Sequence, residues 1–132
     1  MNIKKLSLLT LFSMLLFSQP VLSQKSMDEL KKRISTNLHD FVDRYGRDSQ
    51  GADKYRILTN WKSVVDNINS LEYSVGRAVK IQTVKSWANT FSESLGKVNC
   101  TLKASIPCGN LKKTIRKDFD EYYNSARKEY SF

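Results

Sequence analysis

One histidine, two cysteines, two prolines and five glycines in 132 residues leave little room for metal or redox chemistry. His39 is alone, which removes most metal and acid–base schemes built on two imidazoles. One histidine and two cysteines do not supply four zinc ligands without carboxylates. Cys100 and Cys108 are spaced C-x7-C, not the C-x-x-C of a redox pair. There is no C-x-x-C-H haem-attachment run. His39 and Met27 would stand ~18 Å apart along a helix, too far to share one iron. P-loop, G-x-G-x-x-G, H-E-x-x-H and EF-hand patterns are also missing. No cofactor and no metal is expected. Few glycines and prolines, with no internal repeat or low-complexity tract, argue for compact helices.

The chain opens with Lys4 and Lys5, then the apolar run LSLLTLFSMLLF from Leu6 to Phe17. That run is too short for a comfortable membrane span. Pro20 follows, and Val21-Leu22-Ser23 places small residues at −3 and −1. This pattern predicts a signal peptide over 1–23, cleaved between Ser23 and Gln24, and a single helical domain over 24–132. An uncleaved N-terminal anchor is the alternative. No cysteine follows the cleavage site, so lipid attachment there is not indicated. The expected location is exported, periplasmic or extracellular, where a lone disulfide persists. With only two cysteines the pairing is Cys100 to Cys108. Closing so short a loop contributes roughly 2.5 kcal/mol by chain entropy, against a total of ~5–15 kcal/mol for a small domain.

Helical spacing recurs along the chain. Ser26 is an N-cap with Glu29 three residues on, a capping box. Met27, Leu30, Ile34, Leu38, Phe41, Val42 and Tyr45 follow, and Gly46 supplies a stop. A second helix begins near Asp53, carries Tyr55, Leu58, Trp61, Val64, Val65 and Ile68 inward, and ends within Asn67 to Ser70. The stretch 71–84 alternates as a strand or hairpin would, at Leu71, Tyr73, Val75, Val79, Ile81 and Thr83. Yet Val84, Trp87, Ala88, Phe91 and Leu95 keep helical spacing, and two isolated strands are marginal. A third helix from Gly76 or Arg77 to Leu95 is therefore preferred. A fourth runs from Asn110, with Leu111, Ile115, Phe119, Tyr122, Ala126 and Tyr130 on one face. The expected fold is all-α: a small four-helix bundle with one intrachain disulfide closing the loop before the last helix.

The net charge is +9, of which Lys4 and Lys5 in the leader account for two, leaving +7. Its density peaks between Lys97 and Lys117, where Lys97, Lys103, Lys112, Lys113, Arg116 and Lys117 occur with no acid among them. Cations near a helix start oppose its dipole; Lys117–Glu121 and Arg116–Asp120 recover part of the cost. The result is an anion-receptive surface. Tyr123 adds an aromatic, because Tyr122 takes the buried side of that pair. The function expected is a non-enzymatic exported binding protein (an inhibitor, immunity-type protein or accessory factor). It would engage an acidic protein surface or an anionic polymer.

One alternative is a secreted effector at anionic membranes. The other is a small hydrolase built on Ser35, His39 and Asp43, which lie at i, i+4 and i+8. A nucleophilic triad also needs oxyanion donors, and no glycine-rich elbow accompanies Ser35. A polar line beside an apolar stripe is what an amphipathic helix ordinarily shows. Export argues against nucleic acid as the partner, whatever the charge. Asp28/Glu29 and Asp120/Glu121 read as capping or charge balance. The sequon Asn99-Cys100-Thr101 would carry sugar only in a eukaryotic secretory route, where it would partly mask the basic loop.

Overall fold

The structure is a computed structural model that describes residues 26–45, 52–73, 75–100 and 105–132, with residues 52–54 and 105 described by backbone alone. The predicted leader, Gly46 and Lys103 lie outside the described residues. Four helices and no strand make up the rest: α1 (Met27–Tyr45), α2 (Ala52–Asn69), α3 (Arg77–Gly96) and α4 (Ser105–Tyr130), with a 3-10 turn at Ser70–Glu72.

Each helix forms where apolar residues recur on one face. On α1, Leu30, Ile34, Leu38, Phe41 and Val42 are buried. Its start is fixed by Ser26, whose Oγ accepts the Glu29 backbone N–H at 3.1 Å, half of the predicted capping box. On α3, Val84, Ala88, Phe91 and Leu95 are buried, so the helical spacing prevails over the strand-like alternation of 71–84. Three members of that alternation, Tyr73, Val75 and Val79, are exposed. Gly76 turns the chain into α3 at φ 69°, in the left-handed region that side chains with a Cβ avoid.

The last helix starts earlier than its spacing predicts, at Ser105 and not at Asn110. Pro107 and Gly109 read as loop residues in the sequence. A proline in a helix's first turn loses nothing, because the N–H groups there have no intrahelical partner. Cys108 therefore sits on α4 itself, fully buried, and its bond to Cys100 ties the chain after α3 to the first turns of α4, with Cα atoms 5.3 Å apart.

The helices pack most closely as two pairs, α2 with α3 and α1 with α4. Trp61 of α2 joins the pairs. Its ring lies 5.7 Å from Phe91 of α3 and 6.1 and 5.4 Å from Phe119 and Tyr122 of α4. Its indole N–H donates to Ser35 Oγ of α1 at 2.9 Å. One side chain thus touches all four helices.

The two pairs treat buried polar groups differently. Between α2 and α3, Asn60 donates to Ser94 Oγ at 3.1 Å, and Ser94 donates to the Phe91 carbonyl at 2.9 Å. Between α1 and α4, the buried Asp118 carboxylate faces the half-exposed Arg33 guanidinium at 3.3 Å. That approach is an ion pair without hydrogen-bond geometry, and Asp118 Oδ2 and the Tyr122 hydroxyl are buried with no hydrogen-bond partner. Burial pushes the Tyr122 hydroxyl far above the usual tyrosine range, and Tyr130 and Asp28 push the same way. No described helix is long and apolar enough to cross a membrane.

Candidate anion-binding surface

The described part of the basic stretch lies at the end of α3 and along the first half of α4. Val98 is buried there, and Lys97 stands at the C-cap of α3, where its N–H reaches the Glu93 carbonyl at 3.1 Å. The carbonyls ending α3 have no intrahelical donor. Lys112 of α4 supplies one: its Nζ donates to Gly96 O at 2.9 Å and to Val98 O at 3.0 Å. Burial lowers the pKa of Lys112, and the neighbouring Arg116 lowers it further. Arg116 leans on the same helix end. A Cβ at Gly96 would stand 3.1 Å from its Nη2.

Because α4 begins at Ser105, the four cations from Lys112 to Lys117 lie beyond its first turn. The dipole penalty expected from the sequence falls off within that turn. Lys112 and Arg116 instead meet the partial negative charge at the end of α3, where cations are favourable. The pairs Lys117–Glu121 and Arg116–Asp120 are not among the ion pairs of the described residues, which include Lys31–Asp28, Arg33–Asp118 and Arg44–Asp40.

The candidate residues accordingly divide. Lys97, Lys113, Arg116 and Lys117 are exposed. Lys113 and Lys117 are one helical turn apart and share a face, rotated from the Lys112/Arg116 line that faces α3. Lys112 is half-buried and engaged. Tyr123 is half-buried: its ring stacks on Phe119 at 6.1 Å and meets Phe132 edge-on at 6.0 Å. Burial raises its hydroxyl pKa, and Arg127 counters this in part. Tyr123 thus packs the C-terminal end. Lys103 lies outside the described residues.

The hydrogen bond at Ser35 Oγ comes from the Trp61 indole, while His39 is exposed on the same helix. That arrangement gives the serine no general base, since none of the hydrogen bonds among the described residues joins Ser35 to His39. No group of three or more His, Cys, Asp or Glu residues able to hold a metal occurs among the described residues. Sequence reasoning missed the burial of Asp118. The signal was available, because Asp118 falls three residues after Ile115 and four before Tyr122, on the apolar face. It also missed Lys112 as a cap, a contact between residues 16 apart from Gly96 that periodicity does not encode. No protein-family model, curated protein or solved structure matches this chain.

Proposed function

We propose that this chain is an exported helical binding protein that engages an acidic protein surface or an anionic polymer through its disulfide-braced end. The observation carrying this reading is that Lys97, Lys113, Arg116 and Lys117 are exposed around a turn held by Cys100–Cys108, with none of them in an ion pair within the described residues. Exposed positive side chains without ion-pair partners beside a disulfide-braced helix end favour an anionic partner and speed its encounter. The disulfide and the leader-like start of the sequence support export, to periplasm or extracellular space. N-terminal sequencing of the secreted chain should begin at Gln24.

The test uses a defined polyanion. The mature chain is applied to immobilised poly-glutamate and eluted with salt. Lys113→Gln/Lys117→Gln should elute at clearly lower salt than Lys32→Gln/Lys128→Gln, which removes the same charge from exposed positions elsewhere. Coincident elution of the two variants would mean that net charge alone drives retention, and the assigned face would fall.

A second reading, action at anionic membranes, is favoured by the exposed apolar corner Tyr73, Val75 and Val79, flanked by Arg77 and Lys80. Leakage from phosphatidylglycerol vesicles, lost in Val75→Asp/Val79→Asp, is its measurement. The hydrolase reading has no comparable support.

A further inference from the structure

A groove of about 460 Å³ runs along the seam between α1 and α2, away from the basic turn. This seam is less closely packed than α2–α3 or α1–α4, and the residues on its two sides explain why. From α2 come Leu58, Trp61 and Val65, an apolar stripe at helical spacing. From α1 come Lys31, Ser35 and His39, a polar line at steps of four. The two stripes face one another, one apolar and the other hydrophilic, and meet through the Trp61–Ser35 hydrogen bond. The line that read as two-thirds of a triad is one wall of a groove.

The groove's chemistry is one-sided. Leu58 and Val65 are half-buried there, with apolar surface left uncovered. Lys62 of α2 joins Lys31 and His39 at the rim, and no carboxylate lines the groove among the described residues. Lys31 is held by Asp28 at 3.2 Å; Lys62 has no ion pair among the described residues. Ser35 Oγ accepts the Trp61 N–H, so its own proton remains free to donate. An apolar floor, a spare hydroxyl donor and a cationic rim are complementary to an apolar chain ending in one carboxylate. The volume falls within the ~300–1,000 Å³ range of small-molecule sites.

We infer that the α1–α2 groove binds an aliphatic monocarboxylate, its chain along Leu58, Trp61 and Val65 and its carboxylate at Lys62 and the Ser35 hydroxyl. Apolar burial supplies most of the affinity, and the charge-assisted contact selects the acid over an uncharged analogue.

Trp61 reports on its own site. The chain has two tryptophans, so Trp87→Phe leaves Trp61 as the only one. That protein is titrated with sodium decanoate below its micelle concentration, and its emission is followed. A saturable change with one equivalent bound is expected, with decanol about ten-fold weaker and acetate silent. Lys62→Gln, at an exposed position, should weaken decanoate by about ten-fold, the scale of one charge-assisted hydrogen bond, without changing the thermal melt. Lys117→Gln should leave binding unchanged. Equal affinities for decanol and decanoate, equal effects of the two lysine changes, or no saturable response would each overturn the assignment.

Discussion

The two turns that flank α3 solve the same problem by different means. Each follows a helix, and in each a cation from the next helix reaches back to carbonyls at or just past that helix's end. After α2, Arg77 Nη1 donates to Leu71 O at 3.3 Å and Lys80 Nζ to Ser70 O at 3.2 Å. After α3, Lys112 Nζ alone takes two carbonyls at 2.9 and 3.0 Å. The first turn is closed by backbone geometry, with Gly76 at φ 69°, and Tyr73, Val75 and Val79 are exposed beside it. The second is closed covalently by Cys100–Cys108, and the exposed Lys97, Lys113 and Lys117 beside it are basic. The lesson concerns charge. A count of lysines and arginines overstates the cationic surface, because several of them cap helices. What distinguishes the second turn is that cations remain after capping.

Removing the covalent brace should have the largest effect. Cys100→Ala/Cys108→Ala is expected to lose roughly 2.5 kcal/mol in urea denaturation, the loop-closure term for so short a ring, and the wild-type midpoint should fall similarly in reductant. A loss below ~0.5 kcal/mol, within the ordinary scatter of surface changes, would mean that Lys112 and Val98 hold the second turn without help, as side chains hold the first. The comparison would then collapse.

Next comes the backbone device of the first turn. Gly76→Ala should cost about 1–2 kcal/mol, the penalty for a Cβ in the left-handed region. Crowding does not contribute, since nothing lies within 4 Å of that Cβ. Gly76→Asn should cost less, because asparagine tolerates this region better. The counterpart Gly96→Ala should be nearly neutral, because only the mobile Arg116 guanidinium, at 3.1 Å, must yield. Equal costs at 76 and 96 would remove the distinction between the two turns.

These devices differ in how far the sequence displays them. The helices were legible wherever apolar spacing is uninterrupted, and α1, α2 and α3 fall where Leu30 to Val42, Trp61 to Ile68 and Val84 to Leu95 place them. The four-helix bundle and its disulfide follow from the same reading. The start of α4 was hidden by Pro107 and Gly109, residues whose loop preference is strong in a helix interior and weak in a first turn. The candidate surface was legible as composition only. That Lys112 caps α3 while Lys113 does not depends on a 100° rotation about α4 and on where α3 ends. Neither is a property of the local sequence. The groove was half-visible, as the polar line Ser35–His39, but the opposing stripe lies on another helix.

The caps themselves give the third effect. Lys112→Met keeps most of the side-chain volume and leaves two carbonyls without their donor. It should cost about 1 kcal/mol, below the ~1.5–3 kcal/mol of a buried charged hydrogen bond because the site is half-exposed. Lys80→Met removes one longer bond, and a cation over the Tyr73 ring at 5.6 Å, so about 0.5 kcal/mol is expected. The order of the two costs is the test: a larger loss at Lys80 would make the first turn the more dependent on its cation. A double-mutant cycle between Lys112→Met and the cysteine pair should show coupling, since Val98 O, one of the two acceptors, sits two residues before Cys100.

The smallest effect is electrostatic and belongs to Lys112. Burial and Arg116 both lower the Lys112 pKa below its usual value. The folded chain therefore holds this proton less tightly than the unfolded chain, and between the two pKa values the unfolded state binds more protons. By linkage, this lysine makes stability rise as pH climbs through its folded pKa, and the gain is complete near 10.5, the unfolded value. Following the lysine ε-carbon signals against pH should place Lys112 below that value. Arg116→Gln removes the second cause and should move the Lys112 midpoint upward, shrinking the stability gain. An unmoved Lys112 midpoint would leave burial as the only cause and would mean that Arg116 points its charge away from α3. Arg116 would then be free to contribute fully to the anion-binding face.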